Sequence, residues 1–396
     1  MPTAPARILT NMAHGLDHQQ QPASQEAAAA NPNPNPNPAS ASTAKIDDRE
    51  RYSRQVLFAP IGERGQQRLL HSHATVVGVG ATGAATASLL TRAGVGRLTL
   101  IDRDFVEPSN LQRQILFDED DARDALPKAE AARRHLARVN AGVQLQTHIA
   151  DLTPHNAADL IADADIVLDC TDNFETRYLL NDLCVRDGRP WIYAAAVGAY
   201  AATMNILPRL ASGSKPADEA WQPTACLACL FPSIPTGPAE TCDTAGILST
   251  AVNLAASIQV TEALKLLTGQ SSAMRRTLLA HDLWTGERSE VAAGAPRADC
   301  EVCGQRRFRA LAGEGRAHVT LCGRNSVQIH EHNRPLDLVA LARRLQPLGE
   351  VRANGLLLRF HHPPHTLTIF PDGRALVQGT TDVGRARALY ARYIGA

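Results

Sequence analysis

The sequence predicts an α/β fold: a doubly wound, mostly parallel sheet over most of the chain, followed by a small α+β domain. Three observations carry that expectation. From Ala74 onward, short apolar runs alternate with amphipathic stretches of helical period, the pattern of strands joined by crossover helices. The first apolar run leads directly into Gly78-Val79-Gly80-Ala81-Thr82-Gly83 and a helical stretch. Past residue 318 the apolar runs are short, with a turn signal at Pro371-Asp372-Gly373.

Residues 1–47 are low in complexity, with Gln19 to Gln21, an alanine run and an Asn-Pro repeat from Asn31 to Pro38. Repeated proline excludes both helix and ladder, so a disordered tail is expected there. Residues 73–79 read as a buried strand, 83–93 as a helix closed by Gly94, and 97–101 as the next strand. Residues 127–139 form a helix with proline in its first turn. Strands are expected at 143–149 and 166–169, a helix at 174–185, and strands at 191–195 and 202–207. A loop rich in Pro, Thr and Gly covers 208–244, and 247–267 reads as one long, largely buried helix ending at Gly269. A linker at 311–318 precedes a strand at 319–330, a helix at 335–345, strands at 356–360, 366–370 and 375–378, and a helix at 382–394. This last region shows no catalytic motif and is assigned a binding or docking role.

Lys+Arg and Asp+Glu balance at 40 each. No global field therefore draws the chain to nucleic acid or a membrane surface, and an anionic ligand has to be held by a local cluster of cations. No stretch approaches the roughly 18–20 apolar residues of a membrane span, and no leader pattern opens the chain, so a cytoplasmic protein is expected.

The glycine motif sits between a strand and a helix, where it has meaning. Gly78 permits the tight turn, Gly80 lets backbone approach phosphate, and Gly83 allows close helix–strand packing. The helix N-terminus offers free N–H groups to an anion. Asp102 ends the second strand, 19 residues after Gly83, where a ribose-binding carboxylate belongs. Which nucleotide is bound, this front end leaves open. The segment after Asp102 narrows it. Asn110, Arg113 and Gln114 follow in one short stretch, Lys128 opens the next helix, and Arg54 lies upstream. A triphosphate carries about four negative charges, and Arg54, Arg113 and Lys128 are the local cations available to offset them. ATP is favoured over a dinucleotide.

Eight cysteines include two CxxC pairs, Cys226–Cys229 and Cys300–Cys303. Four soft ligands suit tetrahedral Zn²⁺ in a closed structural site, with a redox CxxC or inert thiols as the alternatives. Cys170, Cys184 and Cys322 read as small buried hydrophobes.

With RYSRQ at 51–55, the glycine motif at 78–83, D-x-D-x-V-E-x-S-N-L-x-R-Q at 102–114, Pro127-Lys128, and Asp169-Cys170-Thr171-Asp172-Asn173 with Arg177, the sequence resembles the ThiF/MoeB family over about residues 48–308. That family is related to the ubiquitin-activating enzymes. The resemblance implies an ATP-binding adenylyltransferase domain at 48–308, with 318–396 left as the small α+β domain. It also implies that the enzyme adenylates the C-terminal glycine of a ubiquitin-like sulfur-carrier protein ending in Gly-Gly, for thiazole (thiamin) or molybdopterin synthesis. Asp172, with Mg²⁺, matches the family carboxylate that orients the ATP phosphates, and Asn173 sits beside it. Lys128 and Arg113 match the triphosphate-binding cations, Asn110 and Gln114 the polar groups around the nucleotide, and Asp102 the ribose ligand. Arg54 matches an arginine inserted into the neighbouring subunit's site, which implies a homodimer. The four paired cysteines match a structural zinc. Cys242 falls where relatives have a cysteine in a crossover loop, covalently linked to the carrier in some members and dispensable in others. Ala81 departs from the glycine of many relatives at a position the motif leaves free.

Such chemistry needs no side-chain nucleophile; positioning and charge neutralisation suffice. Three competing readings are activation of another carrier, an oxidoreductase on the same fold, and a silent binding module. The oxidoreductase leaves Arg54, Arg113, Lys128 and the cysteine pairs unexplained. The silent module leaves an intact Asp172, Lys128 and Arg113 without purpose.

Overall fold

The computed structural model describes residues 47–210, 218–232, 245–314, 319–322, 326–329 and 335–395. The low-complexity tail and Cys242 lie outside the described residues.

Eight strands form the first sheet: β1 (His73–Val77), β2 (Arg97–Ile101), β3 (Gln144–His148), β4 (Ile166–Asp169), β5 (Trp191–Val197), β6 (Tyr200–Ile206), β7 (Thr277–Asp282) and β8 (Arg288–Ala292). Their order is β3-β2-β1-β4-β5-β6-β7-β8. The first five pair in parallel and the last four, from β5 on, antiparallel. Every residue of β1 is buried, as a strand covered on both faces must be. The sheet is mostly parallel only in its first half: β7 and β8 add an antiparallel edge that the sequence reading did not contain. All of β8 is solvent-exposed, and its sequence Arg-Ser-Glu-Val-Ala lacks the alternation that signals a strand.

Helices α1 (Ala81–Ala93), α2 (Lys128–Val139), α3 (Phe174–Asp187) and α4 (Ser249–Leu267) cover the sheet. Gly94 ends α1 in the left-handed region at φ 79°, its N–H reaching Leu90 O and Thr91 O. The long α4 packs along α1, β5 and β6. Its Gln259, fully buried, donates Nε2 to Asp169 O and Ile192 O, both at 2.8 Å, and accepts from Thr86 Oγ1 at 3.0 Å. A buried amide so fully used ties α4 to the strand ends that carry the site.

The second sheet is wholly antiparallel, in the order β11-β12-β13-β14-β10-β9. Its strands are β9 (Val319–Cys322), β10 (Ser326–Ile329), β11 (Glu350–Ala353), β12 (Leu358–His362), β13 (His365–Ile369) and β14 (Ala375–Gln378). The expected single strand at 319–330 is two paired strands, and the charged β11 is additional. Helices α5 (Leu338–Leu345) and α6 (Val383–Tyr393) pack onto a core of Val327, Leu341, Phe360, Leu367, Val377 and Tyr390. The two sheets meet through a buried cluster of Phe105, Ala125, Leu357 and Phe370. Arg359 lies over the Phe105 ring at 5.1 Å, and Arg374 Nη2 donates to Ile149 O at 3.3 Å.

Candidate active site

β1 is flanked by β2 on one side and β4 on the other, so the chain leaves it in opposite directions. Ligands of doubly wound sheets bind at such a switch point, beyond the strands' C-terminal ends. The loops after β1, β2 and β4 all open there.

The turn after β1 needs two of its glycines for different reasons. Gly78 has φ 83°, and a Cβ there would stand 2.8 Å from Cys170 O. At Gly83 a Cβ would collide with Gly78 O, so helix and turn can touch only without a side chain. Gly80 is less constrained: its Cβ would meet Gln114 Nε2 at an ordinary 3.7 Å. The missing side chain there leaves room facing Gln114.

Asp102 holds this turn. It accepts from Val79 N–H at 2.6 Å and from Asp104 N–H at 2.7 Å. Burial pushes its carboxyl up, with Lys128 opposing. The residue expected to meet a ribose thus also fixes the backbone of the glycine turn. Lys128, at the first position of α2, is buried, and its Nζ stands 3.2 Å from Asp104 Oδ2. Burial works against its charge, yet Asp104, Asp102 and Asp172 outweigh that and raise its pKa. A lysine held charged out of water, with acids on several loops around it, is a fixed point charge for phosphate.

Asn110, Arg113 and Gln114 are all buried on the wall after β2. Asn110 Oδ1 accepts from Glu107 N–H at 3.2 Å, and Arg113 Nη1 donates to Ser109 O at 2.7 Å. Gln114 Oε1 is buried and has no hydrogen-bond partner among the described residues. An unmatched acceptor costs about 1–3 kcal/mol, and a ligand donor reaching this wall would remove that cost.

The loop after β4 carries the exposed Asp172. Its frame is a buried ion pair: Arg177 Nε stands 3.3 Å from Asp169 Oδ2. Arg177 also donates to Thr171 O at 2.6 Å and stacks on Phe174 and Tyr193. Asp169 Oδ1 accepts from Thr171 N–H at 3.0 Å and Thr171 Oγ1 at 2.7 Å. Asn173 is the N-cap of α3, accepting from Thr176 N–H at 2.9 Å, a local duty beside any ligand contact. The sequence reading named Arg177 only as part of a motif; its framing role needed the coordinates.

Arg54 is apart from these residues in kind. It is exposed on the short helix Ser53–Val56 and makes no hydrogen bond or ion pair with a described residue.

The two CxxC pairs converge. Sγ–Sγ separations are 3.8 Å for Cys226–Cys229, 3.6 Å for Cys226–Cys300 and 3.3 Å for Cys229–Cys303. All four sulfurs lie within 4.8 Å of one another. Zinc–thiolate bonds of about 2.3 Å in a tetrahedron give edges of about 3.8 Å, so the set is compatible with zinc. The cysteines are free, not disulfide-bonded.

Fold and site together define a doubly wound α/β protein of the nucleotide-binding type, with a glycine turn, a helix N-terminus and a buried lysine at its switch point. The ThiF family model matches residues 52–302, and the chain belongs to the ThiF family. It is similar to the sulfur carrier protein ThiS adenylyltransferase of Bacillus subtilis, at 46% identity over 349 residues covering 87% of this chain and 99% of that one. The Escherichia coli sulfur carrier protein ThiS adenylyltransferase is 37% identical over 65% of this chain and 97% of its own length. Adenylyltransferase and sulfurtransferase MOCS3 of Mus musculus is 35% identical over 74% of this chain, which spans only 63% of that relative. Among solved structures, E. coli MccB with ATP shares the fold at a TM-score of 0.52 and 24% identity, over 64% of this chain and 74% of that one.

Proposed function

We propose that this chain is an adenylyltransferase that activates the C-terminal glycine carboxylate of a ubiquitin-like sulfur-carrier protein. The observation that carries the reading is Lys128, buried and kept charged by acids from the loops around the glycine turn. A carboxylate cannot expel oxide or hydroxide, so it has to be activated. Its oxygen attacks the α-phosphorus of ATP, the bond to the bridging oxygen of the β-phosphate breaks, and pyrophosphate leaves with the electron pair. The acyl-adenylate that remains has AMP as a good leaving group.

The residues have positional and electrostatic parts in this step. The turn at Gly78–Gly83 cradles phosphate, Lys128 and Arg113 neutralise it, and Asn110 and Gln114 line the nucleotide. Asp102 takes the ribose and Asn173 braces Asp172. Asp172, exposed at the mouth, would hold Mg²⁺, which supplies charge neutralisation on the phosphates. Cys226, Cys229, Cys300 and Cys303 would hold a structural Zn²⁺ with no open coordination position. Residues 48–308 make up the catalytic domain, and 318–396 a separate α+β domain. The protein works in the cytoplasm as a homodimer in which the unpartnered Arg54 completes the neighbouring subunit's site.

A ThiS-type carrier of the thiazole (thiamin) pathway is favoured over a MoaD-type carrier of molybdopterin synthesis, on the strength of the similarity to the ThiS adenylyltransferases. The test is ATP–pyrophosphate exchange with purified carriers ending in Gly-Gly, repeated with Asp172→Ala. Exchange should appear with the ThiS-type carrier and collapse in the variant; none with any carrier would sink the reading. Mixing Arg54→Ala with Asp172→Ala subunits should restore part of the activity if Arg54 acts in trans. Zinc content, compared with Cys226→Ser, tests the metal separately.

A further inference from the structure

We propose that the cleft between the two sheets is a second anion site, built for a small phosphate-bearing molecule and separate from the glycine turn. The cleft measures about 460 Å³, a size usual for small-molecule sites. Arg123 and Arg134 line it from the first sheet's side, and Arg352 and Arg359 from the second.

The second pair is the informative one. Arg352 and Arg359 are register partners on β11 and β12, standing directly opposite each other. Like charges so placed destabilise a sheet unless something offsets them. Arg359 has no carboxylate within ion-pair distance among the described residues; its plane lies on Phe105. Burial, and Arg352 after it, hold its pKa below the ordinary arginine value. The other three guanidiniums have acidic neighbours: Arg123 with Asp120, Arg134 with Glu130 at 2.9 Å, and Arg352 with Glu350 at 2.7 Å. Those arginines are 52–69% exposed, and ion pairs so exposed are weak, so they can be redirected to a ligand at little cost.

Guanidinium groups match phosphate oxygens in pairs, and four around one volume suit a compact anion of several charges. Among the described residues, Asp124 is the one carboxylate lining the cleft. Its backbone oxygen is already used, accepting from Asn354 Nδ2 at 3.3 Å, which ties the two walls together. The chain's zero net charge and the concave shape speak against nucleic acid. A ligand here would bridge the sheets directly beside residues 124–126, which lead into Pro127 and Lys128.

The full-length chain, its glycine-turn site saturated with a non-hydrolysable ATP analogue, is dialysed against inorganic pyrophosphate, inorganic phosphate or AMP. The expected result is saturable binding of one anion per chain. Binding should weaken about tenfold or more in Arg352→Gln/Arg359→Gln and stay unchanged in Arg288→Gln, which removes an exposed arginine of β8 that does not line the cleft. Arg352→Gln alone, which leaves the packing on Phe105 intact, should weaken it about threefold and guards against misfolding of the double variant. Preference for pyrophosphate identifies an inorganic ligand, and preference for AMP a phosphate monoester. No saturable binding, equal binding in Arg352→Gln and the parent, loss in Arg288→Gln, or tighter binding of an acidic peptide would each overturn the proposal.

Discussion

Gln378, the last residue of β14, donates from Nε2 to Glu107 Oε1 at 3.4 Å, joining the second sheet to the wall of the nucleotide site. Glu107 and Asn110 are linked twice: Asn110 N–H donates to Glu107 O at 2.8 Å, and Glu107 N–H to Asn110 Oδ1 at 3.2 Å. A side chain of the C-terminal sheet therefore rests on the turn that aims Asn110.

Glu107→Ala should raise KM for ATP about threefold to tenfold with a smaller effect on kcat, because it loosens the wall without touching phosphate. Gln378→Ala should show a weaker version of the same split. Steady-state kinetics with varied ATP checks both, and an equal fall in kcat with KM unmoved would contradict the buttressing role.

The glycine turn predicts an asymmetry. Gly83→Ala forces a Cβ into Gly78 O and should abolish ATP binding. Gly80→Ala meets only the end of Gln114, at 3.7 Å, and should fold normally with ATP affinity reduced about tenfold or less. Calorimetric titration of both variants measures the contrast.

Arg177→Met leaves the buried Asp169 without its cation. Such a loss costs about 3–5 kcal/mol, so the urea midpoint should fall sharply. Arg177→Lys keeps the charge but not the planar contacts to Thr171 O and to the rings of Phe174 and Tyr193, and should lie between.

His73 sets a pH dependence. Burial, with Arg97 adding to it, holds its pKa below the ordinary histidine value. Its Nδ1 faces both Arg97 Nη2 at 2.7 Å and Asp163 O at 2.9 Å, and its Nε2 lies 2.8 Å from Thr99 Oγ1; the carbonyl favours a ring proton, but burial and Arg97 outweigh it. The unfolded chain binds this proton more readily than the folded one. The contribution to stability is therefore complete above about pH 6.5 and is lost as pH falls below it. His73→Gln should flatten the stability–pH curve between about pH 7 and 5, read from unfolding midpoints.

What the sequence made legible was whatever depends on local spacing. Gly78, Gly83 and Asp102 announce themselves because one turn needs all three within a short stretch, and β1 because both its faces are buried. The cysteine pairs were legible as pairs, and their convergence followed from the chemistry of four thiolates. The sheet-to-sheet contact was not, because Phe105 and Leu357 are 252 positions apart and Phe105 stands at a position its motif leaves free. β8 and β11 stayed hidden because exposed edge strands carry charges in place of an apolar rhythm. Gln259 was hidden too, since a polar residue inside a long apolar helix gives no hint of the backbone oxygens it will meet.

The sheet first reverses direction at the two-residue connection between Val197 and Tyr200. Every group assigned here to the nucleotide within one subunit precedes that point, and the antiparallel extension and the second sheet follow it. The hairpin is thus a seam at which two relatives can be recombined. A hybrid would keep one parent's handling of ATP while inheriting the other's remaining surfaces, provided α4 still fits α1. Chemistry and partner choice would then be separable along the chain, each open to change while the other is held constant.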